Sequence, residues 1–270
     1  MDQLSGFTSE QREMLQYKIY AVCYNFLDIQ SKSECLPDIL LNEGKYGVDD
    51  LLFPALVYDA CEAIALPKEI IYSRFEYLDY FETDEPEPLS IKKFADILIN
   101  ILEIYQTQWK RFRALSEQDQ EQYYTKIYDV LKKYLPLHHT VFSPKKFVNK
   151  GDYAVRGYKA KRMVKKVAFI MGLSKSETYD TFDAHDYFSF PIAWSLIFFY
   201  ILFSSIGIVY FLVGTIFSII FGVAFLLWAL VYLYRPENTS APMTAKEFAD
   251  KIIGMRLVEN FYNNQKNKEE

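Results

Sequence analysis

The feature that most constrains this chain is an uncharged run of 48 residues from Tyr187 to Tyr234. It contains no Asp, Glu, Lys, Arg or His, although the whole chain is 24% charged. A helix that crosses a bilayer needs about 20 apolar residues. The run therefore predicts two spans joined by a tight turn, which either Gly214-Thr215 or residues 204–207 could form. The alternative, a buried hairpin of two soluble helices, is disfavoured because such helices usually keep a polar face.

Charge is distributed unevenly before this run. Residues 1–144 carry a net charge of -10, whereas residues 145–166 carry nine basic side chains and one Asp, a net charge of +8. Basic residues flank membrane spans on the cytoplasmic side. The basic block and Arg235 therefore predict an integral membrane protein with two spans and both termini in the cytoplasm. The nine basic residues, which we interpret as lipid-binding, are Lys145, Lys146, Lys150, Arg156, Lys159, Lys161, Arg162, Lys165 and Lys166.

Most of this basic block lies on a predicted helix at 153–171. The apolar residues expected to share one face of this helix are Val155, Tyr158, Met163, Val167 and Ile170. In one interpretation the basic side chains bind anionic lipid, where each contributes on the order of 1 kcal/mol. In the other, they are the solvated face of a helix that packs against the acidic N-terminal region. Nucleic acid is disfavoured as a partner because the acidic region would repel phosphate.

The rest of the pattern predicts an all-α protein. Capping boxes occur at Thr8 with Gln11 and at Thr244 with Glu247, and Ser116 with Asp119 is a similar cap. Apolar residues at helical spacing predict helices behind Thr8 and at 51–66, 68–81, 90–115, 117–135, 153–171 and 245–262. The predicted organisation is an acidic helical cytoplasmic domain at 1–144, a basic juxtamembrane helical segment at 145–186, a two-helix transmembrane hairpin at 187–234 and a cytoplasmic amphipathic tail at 235–270.

Catalytic motifs are absent from the sequence. It has no phosphate-binding glycine loop, nucleophile elbow or paired-histidine zinc motif, and it predicts no enzyme and no cofactor. The three cysteines fit no zinc or redox spacing. Asp183, His185 and Asp186 could hold a divalent cation, but a polar collar beside the membrane is the preferred interpretation.

One segment of the tail, DKIIGMRLV at 250–258, resembles the segment that follows the last membrane helix in RDD-family membrane proteins. Lys251, Gly254, Arg256 and Val258 match that pattern. The Arg and Asp that the family carries near the start of its first membrane helix have no counterpart in YFSFPIAWSLI. The resemblance covers about 70 residues and implies a small membrane module, in some relatives linked to ion transport.

Together these features predict a non-enzymatic, membrane-anchored adaptor that recruits cytosolic partners to the inner leaflet. The expected partners are a bilayer containing anionic lipid, an unidentified cytosolic or membrane protein, and further copies of the chain. The alternative function is an RDD-like transport module, or an oligomeric membrane-permeabilising effector regulated by the soluble domain. The uncharged run favours the adaptor, because transport of charged substrates usually needs an ionisable group within the membrane.

Overall fold

The computed structural model describes residues 6–28, 36–42, 47–48, 52–71, 87–135, 141–150, 155, 157–175, 178, 181–182 and 242–269. Within these ranges the chain forms seven α-helices, one short 3₁₀ helix at Leu36–Asp38 and no β-strand, which confirms the all-α prediction. The helices are α1 (Ser9–Phe26), α2 (Phe53–Ala63), α3 (Lys68–Ile71), α4 (Ile91–Arg113), α5 (Glu117–Tyr134), α6 (Gly157–Met171) and α7 (Ala245–Glu269).

Short polar side chains begin four of these helices. Thr8 accepts a hydrogen bond from the backbone N–H of Gln11, and the Gln11 side chain accepts one from the Thr8 N–H. Ser90 and Ser116 cap α4 and α5 in the same position. Thr244 and Glu247 form a second reciprocal capping box at α7. Each cap satisfies backbone donors that the first turn of a helix leaves without a partner.

The apolar side chains gather into two clusters. The N-terminal cluster is mostly aliphatic and joins α1, α2, α3 and the first half of α4. The C-terminal cluster joins the end of α4, α5, α6 and the first half of α7. Phe94 and Phe53 are in contact in the N-terminal cluster, with ring centroids 5.9 Å apart. Phe182 and Phe248 are in contact in the C-terminal cluster, with ring centroids 5.1 Å apart.

Helices α4 and α7 connect the two clusters. Phe94 and Leu98 of α4 belong to the N-terminal cluster and Phe112 to the C-terminal one. On α7, Phe248 and Ile252 lie in the C-terminal cluster, whereas Val258 lies in the N-terminal one. Helix α7 therefore contributes buried residues to both clusters.

The structure contradicts the predicted localisation. No helix within the described ranges is long and apolar enough to cross a membrane, because the long helices carry several charged side chains each. The assignment as an integral membrane protein with two spans and cytoplasmic termini is accordingly withdrawn. The uncharged run at 187–234, on which the hairpin prediction depends, lies outside the described residues.

The structure also corrects the predicted apolar face of α6. Met163 and Val167 are buried as expected, but Tyr158 and Ile170 are exposed. The buried face instead continues through the residues Ala160, Val164, Ala168 and Met171. These residues recur three or four positions apart, which keeps them on one side of a helix, and that side packs on α5 and α7.

Candidate functional site

The outward face of α6 combines basic and apolar side chains. Its members are Tyr158, Lys159, Arg162, Lys166, Phe169 and Ile170, and we call this set the basic-aromatic face. All six are exposed, and the accessible fractions of Tyr158, Phe169 and Ile170 are 68%, 57% and 39%. Steps of three and four residues link them along one stripe of the helix. The fold thus holds the apolar side of α6 in the core and presents this stripe to solvent.

Aromatic rings and cations are paired along the face. The Arg162 guanidinium lies 5.7 Å from the centre of the Tyr158 ring. Lys166 and Lys175 both approach Phe169, with Nζ 5.4 Å and 4.3 Å from the ring centre. Contacts of this kind are worth about 0.5–1 kcal/mol at exposed sites. These contacts keep the Tyr158 and Phe169 rings next to the cations, and the cations keep their positive charge exposed to solvent.

The basic side chains of the face lie apart from the described carboxylates of the acidic N-terminal region. Lys159, Arg162 and Lys166 form no ion pair with any residue in the described part of the chain. Helix α6 packs against α5 and α7 through its apolar side. Since α5 belongs to the acidic region at 1–144, α6 packs on that region with its apolar side and leaves its basic side chains in solvent, as the second interpretation of the sequence describes.

The other predicted lipid-binding residues are distributed around this face. Lys145 and Lys150 are exposed on the connector before α6, while Lys146, Lys161 and Lys165 are half-buried. Arg156 lies outside the described residues. The sequence pattern found the basic residues of the face but missed Tyr158 and Ile170 as parts of it, because it assigned both to the core.

The four residues of the RDD-like segment occupy a structural junction. Lys251 forms an ion pair with Glu69 of α3, whose side chain is 1% exposed. A Cβ on Gly254 would lie 3.1 Å from the Tyr105 ring of α4, so glycine allows that ring to lie against α7. Val258 is buried in the N-terminal cluster. Each residue touches a different part of the fold, and together they fix α7 in place.

Arg256, the fourth residue of the segment, contacts the end of α6. Its Nη1 donates a hydrogen bond of 2.9 Å to the carbonyl oxygen of Gly172. Gly172 has a φ of +70°, a left-handed conformation that glycine adopts without strain. The interaction holds the last turn of α6, which carries Phe169 and Ile170, against α7.

A cavity of about 220 Å³ lies between α3, α4 and α7, lined in part by Glu69, Tyr105, Asp250 and Lys251. Its charged groups already have structural partners: Glu69 binds Lys251, and Asp250 accepts a 2.6 Å hydrogen bond from the Tyr124 hydroxyl. The cavity is part of the junction between the two clusters.

Burial and Asp250 together change the acidity of the nearby tyrosines. Burial raises the pKa of Tyr124, and its hydrogen bond to Asp250 raises it further. Burial, with the Asp250 charge, raises the pKa of Tyr128 to about 12. Burial also raises the pKa of the Cys23 and Cys61 thiols to about 12. All four groups therefore keep their protons at neutral pH.

The predicted metal ligands Asp183, His185 and Asp186 lie outside the described residues. Among the residues that are described, no group of three or more His, Cys, Asp or Glu side chains could hold a metal ion. Asp59 and Glu62, a carboxylate pair in the sequence, are exposed on α2.

Comparison with known proteins gives no match to a family model, to a curated protein or to a solved structure. The RDD-family resemblance of residues 187–258 therefore stays a prediction. The basic-aromatic face of α6 is the feature from which a function can be argued.

Proposed function

We propose that this protein is a non-enzymatic adaptor that docks on anionic phospholipid surfaces through the basic-aromatic face of α6. The observation that carries the proposal is the joint exposure of three cations and three apolar side chains on one stripe of a helix whose other side is buried. Docking of this kind is peripheral, since the helix lies on the surface and no spanning helix is needed.

Electrostatics supplies the first part of the argument. An anionic leaflet attracts basic side chains by about 1 kcal/mol for each Lys or Arg near the surface. Lys159, Arg162 and Lys166 are exposed and make no ion pair with a described residue, so binding to lipid would not require breaking an ion pair first. Residues 145–166 concentrate this charge in a chain whose formal net charge is -5.

The apolar members supply the second part. Exposed Phe169 and Ile170 would lose water-accessible area on entering the boundary between headgroups and acyl chains, which favours binding. Nucleic acid would leave an exposed aliphatic side chain such as Ile170 in water. The combination of cations with exposed aliphatic and aromatic groups therefore fits a lipid surface better than a soluble polyanion.

The proposal is tested by sedimentation of the full chain with vesicles. We expect binding to vesicles that contain phosphatidylserine, weak binding to pure phosphatidylcholine, and loss of binding as salt rises. A variant with Lys159→Gln, Arg162→Gln and Lys166→Gln should bind about a hundredfold more weakly, because three contributions of about 1 kcal/mol are removed.

The matched control removes three exposed cations from α4 and α5 with Lys92→Gln, Lys110→Gln and Lys133→Gln. This control has the same net charge as the α6 variant and should bind nearly as well as the parent. Equal loss in both variants would show that net charge alone drives binding and would contradict the proposal. Stronger binding to single-stranded RNA than to anionic vesicles would also contradict it.

A further inference from the structure

The two ends of the basic-aromatic face differ in chemistry. The first two turns of α6 present Lys159 and Arg162 beside Tyr158, an aromatic residue with a polar tip. The last turn presents Phe169 and Ile170, which have no polar side-chain atom. At 1.5 Å per residue, Tyr158 and Phe169 lie about 16 Å apart along the helix axis. Cations therefore lie along the whole length of α6, but exposed side chains without a polar atom occur only at the C-terminal end of the face.

The apolar end is held firmly by the rest of the fold. Arg256 of α7 donates a hydrogen bond to the carbonyl oxygen of Gly172, immediately after α6. The backbone N–H of Leu173 donates a hydrogen bond of 2.8 Å to the carbonyl oxygen of Ala168. These bonds satisfy carbonyls at the end of the helix, which would otherwise need water. Phe169 and Ile170 are thus exposed on a stable helical turn rather than on a frayed end.

The two lysines beside Phe169 are also suited to a lipid interface. Lys166 and Lys175 place their ammonium groups 5.4 Å and 4.3 Å from the centre of the ring. Long basic side chains can bury their methylene stems in an apolar layer while the charge stays in the headgroups. The ring between them could then enter the acyl boundary while both ammonium groups contact lipid phosphates.

We infer that α6 docks with its C-terminal end deepest: Phe169 and Ile170 enter the acyl boundary, while Tyr158, Lys159 and Arg162 stay among the headgroups. This inference rests on the proposed docking of α6 on anionic phospholipid and adds its orientation. It also assigns the salt-resistant part of binding to the apolar side chains of the C-terminal end, whereas the salt-sensitive attraction comes from the cations at both ends.

The orientation is tested with two full-length variants, Phe169→Trp and Tyr158→Trp, on phosphatidylserine vesicles that contain phospholipids brominated on the acyl chain. The native Trp109, Trp194 and Trp228 contribute the same background to both variants, which the parent chain measures. We expect the added fluorescence of the Phe169→Trp variant to be quenched at least about twice as strongly as that of the Tyr158→Trp variant, because bromine quenches only at short range and the acyl boundary lies below the headgroups.

A second measurement keeps the inference testable if tryptophan alters the docking. The pair Phe169→Ala and Ile170→Ala should weaken binding at high salt about tenfold or more, since burial of these side chains no longer contributes. The matched control is Met14→Ala with Tyr17→Ala, two exposed residues of α1, which should bind like the parent.

The outcomes separate the two ideas. Equal quenching at both positions, or stronger quenching at position 158, with anionic binding intact, would overturn the orientation and leave the proposed function standing. Absence of anionic binding by the parent chain would overturn the proposed function and the orientation with it.

Discussion

Helices α6 and α7 are both amphipathic and both carry basic side chains, but these side chains have different surroundings in the two helices. On α6, Lys159, Arg162 and Lys166 face solvent and make no ion pair in the described chain. On α7, Lys251 binds the buried carboxylate of Glu69, and Arg256 binds the end of α6. Lys251 and Arg256 on α7 are thus committed to the fold, whereas the exposed cations of the basic-aromatic face on α6 face solvent.

The comparison shows why charge in a sequence does not by itself identify a functional surface. Both helices looked like candidate sites, α6 as a lipid-binding segment and α7 through its RDD-like motif. The distinguishing fact is where each side chain finds its partner. Loss of the α7 side chains that bind other helices should therefore reduce the free energy of unfolding, whereas loss of the solvent-facing cations of α6 should reduce binding while the fold persists.

The largest expected effect on stability comes from Lys251→Ala. It leaves the Glu69 carboxylate buried without its cation, a change that costs roughly 3 kcal/mol when one partner of a buried pair is removed. Urea unfolding followed by circular dichroism measures the loss. The control, Lys246→Ala on the exposed side of the same helix, should change stability by less than about 0.5 kcal/mol. Equal, small losses in both variants would mean that α7 and α6 do not differ as described.

A smaller loss is expected when bulk is added at Gly254. Gly254→Val should reduce the free energy of unfolding by roughly 2 kcal/mol, because even a Cβ would lie 3.1 Å from the Tyr105 ring. Asn264→Val, on the exposed end of α7, controls for placing a β-branched residue in a helix. If both substitutions cost the same, the close approach of α7 and α4 is not what requires glycine.

The hydrogen bond between Tyr124 and Asp250 gives the next effect. Tyr124→Phe should cost about 1.5 kcal/mol at neutral pH, the contribution of a hydrogen bond to a charged group. Tyr123→Phe is the matched control, since the neighbouring ring packs against Phe112 in either form, and it should be near neutral. Thermal unfolding distinguishes the two.

The pH dependence of stability tests the same hydrogen bond. The folded pKa of Tyr124 lies above its ordinary value of 10.0, and that of Tyr128 is about 12. The unfolded tyrosines lose their protons first, so stability is fully present below pH 10 and falls as pH rises toward about 12. The Tyr124→Phe variant should lose less stability over this range. An identical slope in parent and variant would contradict the assignment.

The smallest effect on stability is expected on α6. The variant with Lys159→Gln, Arg162→Gln and Lys166→Gln should unfold within about 1 kcal/mol of the parent, since glutamine is a good helix former, no ion pair is lost and only two exposed cation–π contacts are removed. Urea unfolding measures this. A loss as large as that of Lys251→Ala would show that the basic face of α6 is structural.

Local chemistry could be predicted well from the sequence. The caps at Thr8, Ser116 and Thr244 are confirmed, because each depends on residues three positions apart. Helix α7 runs to Glu269, past the predicted end near residue 262. The last two turns contain only polar residues, so apolar periodicity cannot predict that the helix continues through them.

Contacts between distant residues could not be predicted in this way. The pair of Glu69 and Lys251 joins residues 182 positions apart, and no local spacing encodes it. Only part of the basic-aromatic face could be predicted. Its cations follow from the basic composition of residues 145–166, but the apolar periodicity places Tyr158 and Ile170 in the core. Three- and four-residue spacing predicted the burial of Met163 and Val167 correctly. At the two ends of α6, however, the side that is buried is determined by where α5 and α7 pack, which the spacing does not encode.

The most direct test of the central claim is vesicle sedimentation of the parent chain beside the two charge-matched triple variants. The account predicts that loss of the three α6 cations weakens binding to phosphatidylserine vesicles about a hundredfold, while loss of three cations from α4 and α5 leaves it nearly unchanged. Equal binding by both variants would contradict the claim that the exposed face of α6 is the docking surface.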